Sequence, residues 1–402
     1  RRLASGVIAA SGTLAQIIPP SLVLIVMADQ LGRSVGDMYQ GALLPGLVLT
    51  SMYVAYVALV AIFRPSLAPA MPLEARTLRE ADGSSGMRSL AVLTALAVLG
   101  AWLFASQVYR ADAPRDEVVV VAAMVGIGIA FVAAMVNRLF GVGLLSRMAE
   151  RVTFVLIPPL GLIFLVLGTI FIGVATPTEG GAMGALGAVL MALARQRLSM
   201  SLLKQAMDST TKLSCFVLFI LIGSSVFGLT FRGVNGDLWV EHLMTSLPGG
   251  QTGFLIAVNL LVFVLAFFLD YFELAFIIVP LLAPVADKLG IDLIWFGVLL
   301  AVNMQTSFLH PPFGFALFFL RSVASEKVKT ASIYWGAVPF VIIQLVMVGL
   351  IIAFPGLVSY GDAGAKPVEQ QELNLDDLLH GGSGAAPAND SNSDLMRQLQ
   401  GN

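Results

Sequence analysis

Charged residues are scarce in this sequence of 402 residues. Asp, Glu, Lys and Arg make up 12% of it, whereas soluble domains carry about 25%. Hydrophobic residues make up 57%, and the mean hydropathy is +0.88. A water-soluble fold of this composition would have too few polar side chains to cover its surface. The scarcity of charge therefore excludes a soluble globular protein and predicts a chain embedded in a lipid bilayer.

Cysteine and the common catalytic motifs are also missing. The single cysteine, Cys215, lies in an apolar run, so it excludes a disulfide framework and a Cys-based metal site, and we expect it to be buried. No Walker loop, nucleophile elbow, His-x-x-x-His pair or Rossmann glycine set is present. The net charge of −2 with no basic face gives no sign of a nucleic-acid partner. We therefore expect neither an ATP-driven pump nor an enzyme.

Apolar runs are the main positive feature of the sequence, because a bilayer core needs about 20 apolar residues per helix. The run 253–287 is too long for one crossing and carries Asp270 and Glu273 at its middle, so we predict a re-entrant hairpin. The sequence thus predicts an all-α polytopic membrane protein. The predicted spans are 3–32, 38–63, 89–109, 117–137, 152–174, 177–194, 212–231, 253–287, 292–321 and 331–355.

The Lys and Arg residues between the runs predict the orientation. If 253–287 is a hairpin and every other run crosses, most of these residues fall on one side of the membrane. Counting 253–287 as a crossing weakens the bias. Because cytoplasmic loops carry the excess of positive charge, we expect the start of the chain in the cytoplasm and the C-terminus in the periplasm, across a bacterial inner membrane.

Both ends of the sequence differ from its middle. It starts with Arg1-Arg2 rather than Met, and an apolar run follows at once, so we expect residues to precede it. Residues 359–402 have few large apolar side chains and are predicted to be a disordered tail. The predicted segments are the end of a first repeat (1–63), a loop with two spans (64–150), scaffold helices (151–252), the hairpin with a second broken helix (253–330), a last span (331–358) and the tail.

Two stretches of the chain, 12–45 and 303–339, share one pattern. In each, a polar patch leads to Pro-Pro, and a Tyr-x-Gly-Ala helix start with a following proline comes later. By the charge pattern, the first Pro-Pro span runs outward and the second runs inward. The stretches are therefore predicted to be inverted repeats, and inverted repeats with broken helices are typical of secondary transporters with a substrate site near the membrane midplane.

The proline pairs predict how each helix breaks. Proline lacks an N–H group and frees a carbonyl four residues before it, while it is well tolerated at the first position of a helix. We therefore predict that each Pro-Pro starts a half-helix whose N-terminus, inside the membrane, suits an anion. The predicted substrate-binding residues are Pro19, Pro20, Ser21, Pro311, Pro312 and Gly314. The freed carbonyls are suited to a cation such as sodium, together with Ser11, Thr13, Asn303, Thr306 or Ser307.

Other polar residues in the apolar runs have two interpretations. Intramembrane carboxylates are costly and usually functional, so Asp270 is predicted to line the site, although it could instead cap the returning arm of the hairpin. Thr176 and Glu179 have the spacing of a capping box, which we favour over a functional role. The glycines behind them, Gly180, Gly181 and Gly184, are interpreted as helix packing. His310 is interpreted as a hydrogen-bonded spacer rather than a proton relay.

Four motifs in this order resemble the large permease subunit of tripartite ATP-independent periplasmic (TRAP) transporters. The resemblance covers roughly 1–63 and 150–355. The motifs are Gly12-Thr13-Leu14 with Ile18-Pro19-Pro20-Ser21, Thr176-Pro177-Thr178-Glu179, Leu269-Asp270 with Pro280-Leu281-Leu282-Ala283-Pro284, and Asn303 with Pro311-Pro312-Phe313-Gly314.

The resemblance implies an elevator-type fold with inverted repeats and two re-entrant hairpins. It implies sodium-driven uptake of a carboxylate such as a dicarboxylate, sugar acid or keto acid, delivered by a periplasmic substrate-binding protein. A small four-helix membrane subunit is the other implied partner. The sodium ligands that the resemblance implies map to Ser11, Gly12, Thr13, Asp270, Asn303, Gln305 and Thr306.

Departures from the family pattern leave alternatives open. The first hairpin of the family would precede Arg1, residues 64–150 add two spans, and His310 stands where the family more often has a small polar residue. An anion exchanger, or a divalent-anion symporter without a binding protein, remains an alternative. So does a non-transporting subunit of a membrane assembly, although the lack of lysine within the spans disfavours a proton path.

Overall fold

The computed structural model of the protein describes residues 1–69, 86–108, 115–141, 143–311 and 314–358. Within these ranges every regular element is a helix. The α-helices are α1 Arg2–Leu14, α2 Leu22–Gln30, α3 Val35–Phe63, α4 Met87–Gln107, α5 Arg115–Phe140, α6 Arg147–Phe171, α7 Pro177–Ala194, α8 Met200–Gly233, α9 Gly236–Thr245, α10 Gly250–Leu265, α11 Tyr271–Glu273, α12 Val279–Lys288, α13 Leu293–Met304, α14 Phe315–Val323 and α15 Thr330–Ala353. A π-helical turn, Leu274–Ile278, and 3₁₀ turns at Gln305–Leu309 and Pro355–Leu357 complete the set. The predicted tail 359–402 lies outside the described residues.

Six of the described helices, α3, α4, α5, α6, α8 and α15, are long and apolar enough to cross a membrane. They coincide with six of the predicted spans, and α6 stays one continuous helix although it contains Pro158-Pro159. The predicted span 177–194 forms the 18-residue α7. The protein is therefore an all-α, multi-pass membrane protein. The prediction of this fold class is confirmed, and the remaining runs form broken or shorter helices.

Helix α8 is longer than the predicted span 212–231. It has 34 residues, about 51 Å at 1.5 Å per residue, and begins after Ser199, whose hydroxyl accepts a hydrogen bond from the N–H of Leu202 at 3.1 Å. Most of its side chains are exposed, and Cys215 is among them. The prediction of a buried cysteine was wrong, because an apolar run that faces lipid exposes its side chains on the protein surface.

The spans of segment 64–150 are helices α4 and α5, which pack against each other. A Cβ atom on Gly126 of α5 would lie 3.1 Å from the carbonyl oxygen of Ala97 on α4, so the two backbones approach closely. The side-chain amide of Asn137 on α5 donates to Glu150 on α6 at 2.7 Å. The two spans are thus joined to the following helix α6.

Helix α7 begins with the predicted capping box and packs on α6 through glycines. The hydroxyl of Thr176 accepts from the N–H of Glu179 at 3.3 Å, and the Glu179 carboxylate accepts from the N–H of Thr176 at 2.8 Å. A Cβ on Gly180 would lie 2.9 Å from Ile170, whereas nothing lies within 4 Å of one on Gly181. The predicted capping box is confirmed. The predicted glycine packing is found on the face of α7 that carries Gly180 and not on the face that carries Gly181.

The two proline-containing repeats pack crosswise. Helix α1 of the first repeat crosses α15 of the second, and a Cβ on Gly6 would lie 2.0 Å from the carbonyl oxygen of Gly336. Helix α13 of the second repeat packs on α3 of the first, where a Cβ on Gly41 would lie 3.2 Å from Ile294. Gly41 and Gly336 are the glycines of the two Tyr-x-Gly-Ala patterns. In each repeat, the glycine of this pattern therefore lies against the broken helix of the other repeat.

The segment predicted as a hairpin folds as two helical arms with a break between them. The first arm is α10, and the second runs from Tyr271 through the π-helical turn to Lys288. The side-chain amide of Gln251, at the start of the first arm, donates to the carbonyl of Leu289, just after the second, at 2.5 Å. The two arms thus start and end beside each other, as the arms of a hairpin do.

Candidate functional site

The first break separates α1 from α2. Helix α1 ends at Leu14, and α2 begins at Leu22 with Ser21 as its N-cap. The buried hydroxyl of Ser21 accepts from the N–H of Leu24 at 3.3 Å and donates to the carbonyl of Gln16. One of the carbonyls that we predicted to be free for a cation is therefore already hydrogen-bonded within the break.

Both proline pairs lie before the half-helices rather than at their first residues. Pro19 and Pro20 precede the cap of α2, and α14 begins at Phe315 with Gly314 as its N-cap, beyond Pro311. The prediction that Pro-Pro starts each half-helix was therefore wrong by two or three residues. Serine and glycine are favoured at the N-cap position, and the residue before a proline is disfavoured in helical conformation, so the prolines end one helix without opening the next.

Gly314 occupies a tight position in the second break. A Cβ atom there would lie 2.8 Å from the carbonyl oxygens of both Phe308 and His310, and the N–H of Gly314 donates to the His310 carbonyl at 2.6 Å. A larger residue would push the chain apart at this point. Pro312, a predicted substrate contact, lies outside the described residues.

The second break buries its polar side chains. Helix α13 ends at Met304 and continues as the 3₁₀ turn Gln305–Leu309. Asn303, Gln305 and Thr306 are all 0% exposed. Three predicted cation ligands therefore lie together in the interior, at the end of one half-helix.

The two breaks meet through Gln305 and Thr13. The side-chain amide nitrogen of Gln305 donates to the carbonyl of Thr13 at 2.9 Å and contacts its hydroxyl at 3.3 Å. Thr13 is buried near the end of α1 and donates its own hydroxyl to the carbonyl of Ala10 at 2.9 Å. This contact brings predicted ligands from both repeats to one place.

Asn303 is held by the first arm of the hairpin. Its side-chain nitrogen donates to the main-chain carbonyl of Asn259 at 2.7 Å and to the side-chain oxygen of Asn259 at 2.9 Å. Asn259 is buried on α10. Sequence reasoning missed it, because an isolated asparagine in an apolar helix fits no motif.

Three side-chain oxygen atoms within four consecutive residues, 303–306, form a set that we call the buried oxygen cluster. The side-chain oxygens of Asn303, Gln305 and Thr306 have no hydrogen-bond partner among the described residues, and each is shielded from solvent. Buried polar atoms are normally paired, so unpaired ones call for an explanation. Amide and hydroxyl oxygens beside an unwound helix are ligands for a hard cation such as sodium, and the donor set fits that ion.

The structure does not bring Ser11 and Gly12 to the buried oxygen cluster. Both are exposed, both lie within the last turns of α1, and the Ser11 hydroxyl donates to the carbonyl of Ile8 at 3.2 Å. Successive residues of a helix point about 100° apart, so Thr13 and its two predecessors cannot all face one point. Thr13 is the residue of this set that faces the cluster.

Asp270 forms the N-cap of the returning hairpin arm. Its carboxylate accepts from the N–H of Glu273 at 2.9 Å, and the Glu273 carboxylate accepts from the N–H of Asp270 at 3.1 Å. This capping box is the structural alternative that the sequence left open. Asp270 is half-buried, and its described hydrogen bonds lie within the hairpin turn rather than in the buried oxygen cluster.

The hairpin turn is anchored on the half-helix α2. The hydroxyl of Tyr271 donates to the carbonyl of Val23 at 2.5 Å, and its ring stacks on Phe308 of the second break with centroids 6.3 Å apart. Tyr271 is buried, although no motif pointed to it. The turn therefore contacts both broken helices.

His310 packs between aromatic rings. Its ring stacks on Phe267 with centroids 4.0 Å apart and meets Phe263 edge-on at 4.8 Å, both from the hairpin. It is 2% exposed, and neither ring nitrogen has a well-aligned hydrogen bond to a described residue, although the backbone of Ala266 lies nearby. His310 therefore makes an aromatic contact between the second break and the hairpin, and its interpretation as a hydrogen-bonded spacer stays a prediction.

A comparison with protein families matches residues 1–357 to the DctM component of tripartite ATP-independent periplasmic transporters. The match runs through 64–150, the region that the sequence resemblance left out. The family is one of transporter components, which agrees with the expectation that the chain is not an enzyme.

Individual relatives are more distant. The C4-dicarboxylate TRAP transporter large permease protein DctM of Pseudomonas aeruginosa is 24% identical over 88% of this chain and 66% of its own length. The ectoine TRAP transporter large permease protein TeaC of Halomonas elongata is 24% identical over 87% and 65%. The sialic acid TRAP transporter permease protein SiaT of Haemophilus influenzae is 28% identical over 49% and 32%. This chain thus spans between one third and two thirds of the length of these relatives.

Proposed function

The chain belongs to the DctM component family of tripartite ATP-independent periplasmic transporters, and from this we propose that it is the bulk of a large permease subunit that couples sodium to the uptake of a small carboxylate. The observation that carries the sodium proposal is the buried oxygen cluster of Asn303, Gln305 and Thr306. A buried polar atom without a partner costs about 1–3 kcal/mol, and a bound cation would offset that cost.

The carboxylate proposal rests on the half-helix ends. Helices α2 and α14 begin inside the chain's two breaks, at Ser21 and Gly314, and a helix N-terminus attracts negative charge through its free N–H groups. Gly314 has no side chain that could cap α14. The relatives are named for C4-dicarboxylate, sialic acid and ectoine, so the names agree on the transporter type and not on one substrate.

The proposed setting is the bacterial inner membrane, with the start of the chain in the cytoplasm and the C-terminus in the periplasm. The excess of Lys and Arg on one side supports this orientation. The proposed partners are a small four-helix membrane subunit and a periplasmic substrate-binding protein, as the name of the family implies for a tripartite system.

The contacts support a proposed order of events. Sodium binds first at the buried oxygen cluster and orders the second break against α1, through Gln305 and Thr13, and against the hairpin, through Asn303. The carboxylate then binds at the half-helix N-termini. One helical bundle finally moves against a fixed scaffold, as in an elevator-type carrier.

A thermal melt of the purified full-length protein tests sodium binding without knowledge of the substrate. The melt is compared in sodium, potassium and choline chloride at equal ionic strength. A ligand at ten times its dissociation constant adds about 1.4 kcal/mol to the stability of the folded state. We expect the melting temperature to rise in sodium alone.

Equal melting temperatures in the three salts would contradict sodium coupling and favour an exchanger, a proton-coupled carrier or a structural subunit. Uptake of a radiolabelled carboxylate into vesicles, with and without a periplasmic substrate-binding protein, then separates the tripartite mechanism from a symporter that needs no binding protein.

A further inference from the structure

Asn259 is a polar residue in an otherwise apolar stretch of α10. It is 6% exposed, and its side-chain nitrogen donates to the carbonyl of Leu255, one turn earlier, at 2.8 Å. This bond ties the amide group to its own helix and turns the side-chain oxygen outward. That oxygen accepts from Asn303.

The Asn303 amide is held at one end and free at the other. Its nitrogen carries two hydrogens and makes two hydrogen bonds, to the main-chain and side-chain oxygens of Asn259. Because an amide group is planar, pinning the nitrogen fixes where the oxygen points. That oxygen is the one left without a partner among the described residues.

We infer that Asn259 is a positioning residue of the cation site: it orients Asn303 so that the Asn303 side-chain oxygen faces the ion. Asn259 contacts Asn303 and is not itself a ligand. The inference rests on the proposed function, because it needs sodium at the buried oxygen cluster.

A second amide in the same cluster is arranged in the same way. The nitrogen of Gln305 is held by the carbonyl and hydroxyl of Thr13, and its oxygen is left without a described partner. In both cases the donor end of an amide is bound to protein and the acceptor end has no described partner. Each amide therefore offers an oxygen, and not an N–H group, to a cation.

A purely structural role for the Asn259–Asn303 pair explains less. An amide pair that serves to join two helices gains most when both ends of each amide are paired, since an unpaired buried oxygen costs about 1–3 kcal/mol. Here Asn303 is 0% exposed and its oxygen is unpaired among the described residues. The unpaired oxygen is therefore available to a ligand.

The test measures the sodium concentration that gives half of the rise in melting temperature, at constant ionic strength, in the full-length protein. Asn259→Ala removes the side-chain acceptor and leaves the main-chain one, so we expect about fivefold more sodium to be needed, the equivalent of one neutral hydrogen bond.

Asn137→Ala is the matched control. Asn137 is buried on α5 to the same extent, 8% exposed, and its side chain bonds Glu150 and the N–H groups of Leu144 and Leu145. Its loss is expected to lower the melting temperature in every salt and to leave the half-saturating sodium concentration unchanged. If Asn259 affected only the stability of the fold, Asn259→Ala would therefore behave like Asn137→Ala.

A double variant tests whether Asn259 acts through Asn303. Because Asn259 acts through Asn303, the pair Asn259→Ala, Asn303→Ala is expected to need no more sodium than Asn303→Ala alone. A wild-type sodium requirement in Asn259→Ala, or additive effects in the double variant, would overturn the inference while leaving sodium coupling in place. A wild-type protein without any sodium response would overturn both.

Discussion

The side-chain nitrogen of Gln305 lies 2.9 Å from the carbonyl oxygen of Thr13, a residue 292 positions earlier in the chain. The two residues end the first halves of the two broken helices, and the contact joins the repeats at the point where both unwind. The same amide offers its oxygen to the buried oxygen cluster. The side-chain amide of Gln305 therefore both links the two repeats and belongs to the proposed cation site.

Gln305→Leu is predicted to weaken sodium binding more than Thr13→Val does. Gln305→Leu removes a proposed ligand and both bonds to Thr13, so we expect the sodium-dependent rise in melting temperature to disappear. Thr13→Val removes the contact at 3.3 Å and keeps the main-chain bond, so about a two- to fivefold higher sodium requirement is expected. The reverse order, measured by the melt in sodium and potassium, would exclude Gln305 as a ligand.

Thr306→Val is predicted to change sodium binding and basal stability in opposite directions. The Thr306 hydroxyl is buried and unpaired among the described residues, so its removal in potassium is expected to leave the melting temperature unchanged or to raise it. In sodium, the rise is expected to shrink. Thr50→Val is the control, since its hydroxyl bonds the Gly46 carbonyl of its own helix at 2.8 Å. Equal sodium responses in wild type and Thr306→Val would remove Thr306 from the site.

Asp270 caps the returning arm of the hairpin and is also a predicted sodium ligand, and two substitutions separate these two roles. Asparagine caps a helix about as well as aspartate, whereas alanine costs about 1 kcal/mol at this position. We expect Asp270→Asn to keep the wild-type expression and melting temperature in potassium but to reduce sodium-driven uptake. Asp270→Ala is expected to lower both the melting temperature and the uptake. Wild-type uptake in Asp270→Asn would show that Asp270 is a cap without a role in coupling.

Gly336 and Gly349 lie on the same helix, α15, and are predicted to respond to alanine in opposite ways. A Cβ on Gly336 would lie 2.2 Å from the carbonyl oxygen of Arg2, so α1 would have to move, at a cost of about 1–3 kcal/mol. Nothing lies within 4 Å of a Cβ on Gly349, where alanine is expected to be neutral or stabilising. Melting temperatures of the two variants in potassium provide the measurement. A tolerated Gly336→Ala would show that the repeats do not cross this closely.

The features that the sequence predicted correctly depend on neighbours along the chain. Apolar runs of sufficient length identified the membrane-spanning helices, and the spacing of Thr176 and Glu179 identified a capping box that the structure contains. The proline pairs located both helix breaks. Even so, the half-helices start later than predicted, because the caps are Ser21 and Gly314 rather than the prolines.

The features that needed the tertiary structure depend on residues far apart in the chain. Which of Ser11, Gly12 and Thr13 faces the interior follows from how α1 is rotated against its neighbours, and motif matching could not tell them apart.

Asn259 and Tyr271 carried no signal in the sequence, because their partners are Asn303 and Val23, 44 and 248 residues away. The sequence by itself determined that the chain lies in a membrane, since the length of an apolar run is a local property. It also located the two breaks near Pro19-Pro20 and Pro311-Pro312, whereas Pro158-Pro159 lie inside the continuous helix α6. The folded chain decided which polar atoms meet and which stay unpaired, since that depends on packing between helices that the sequence does not place.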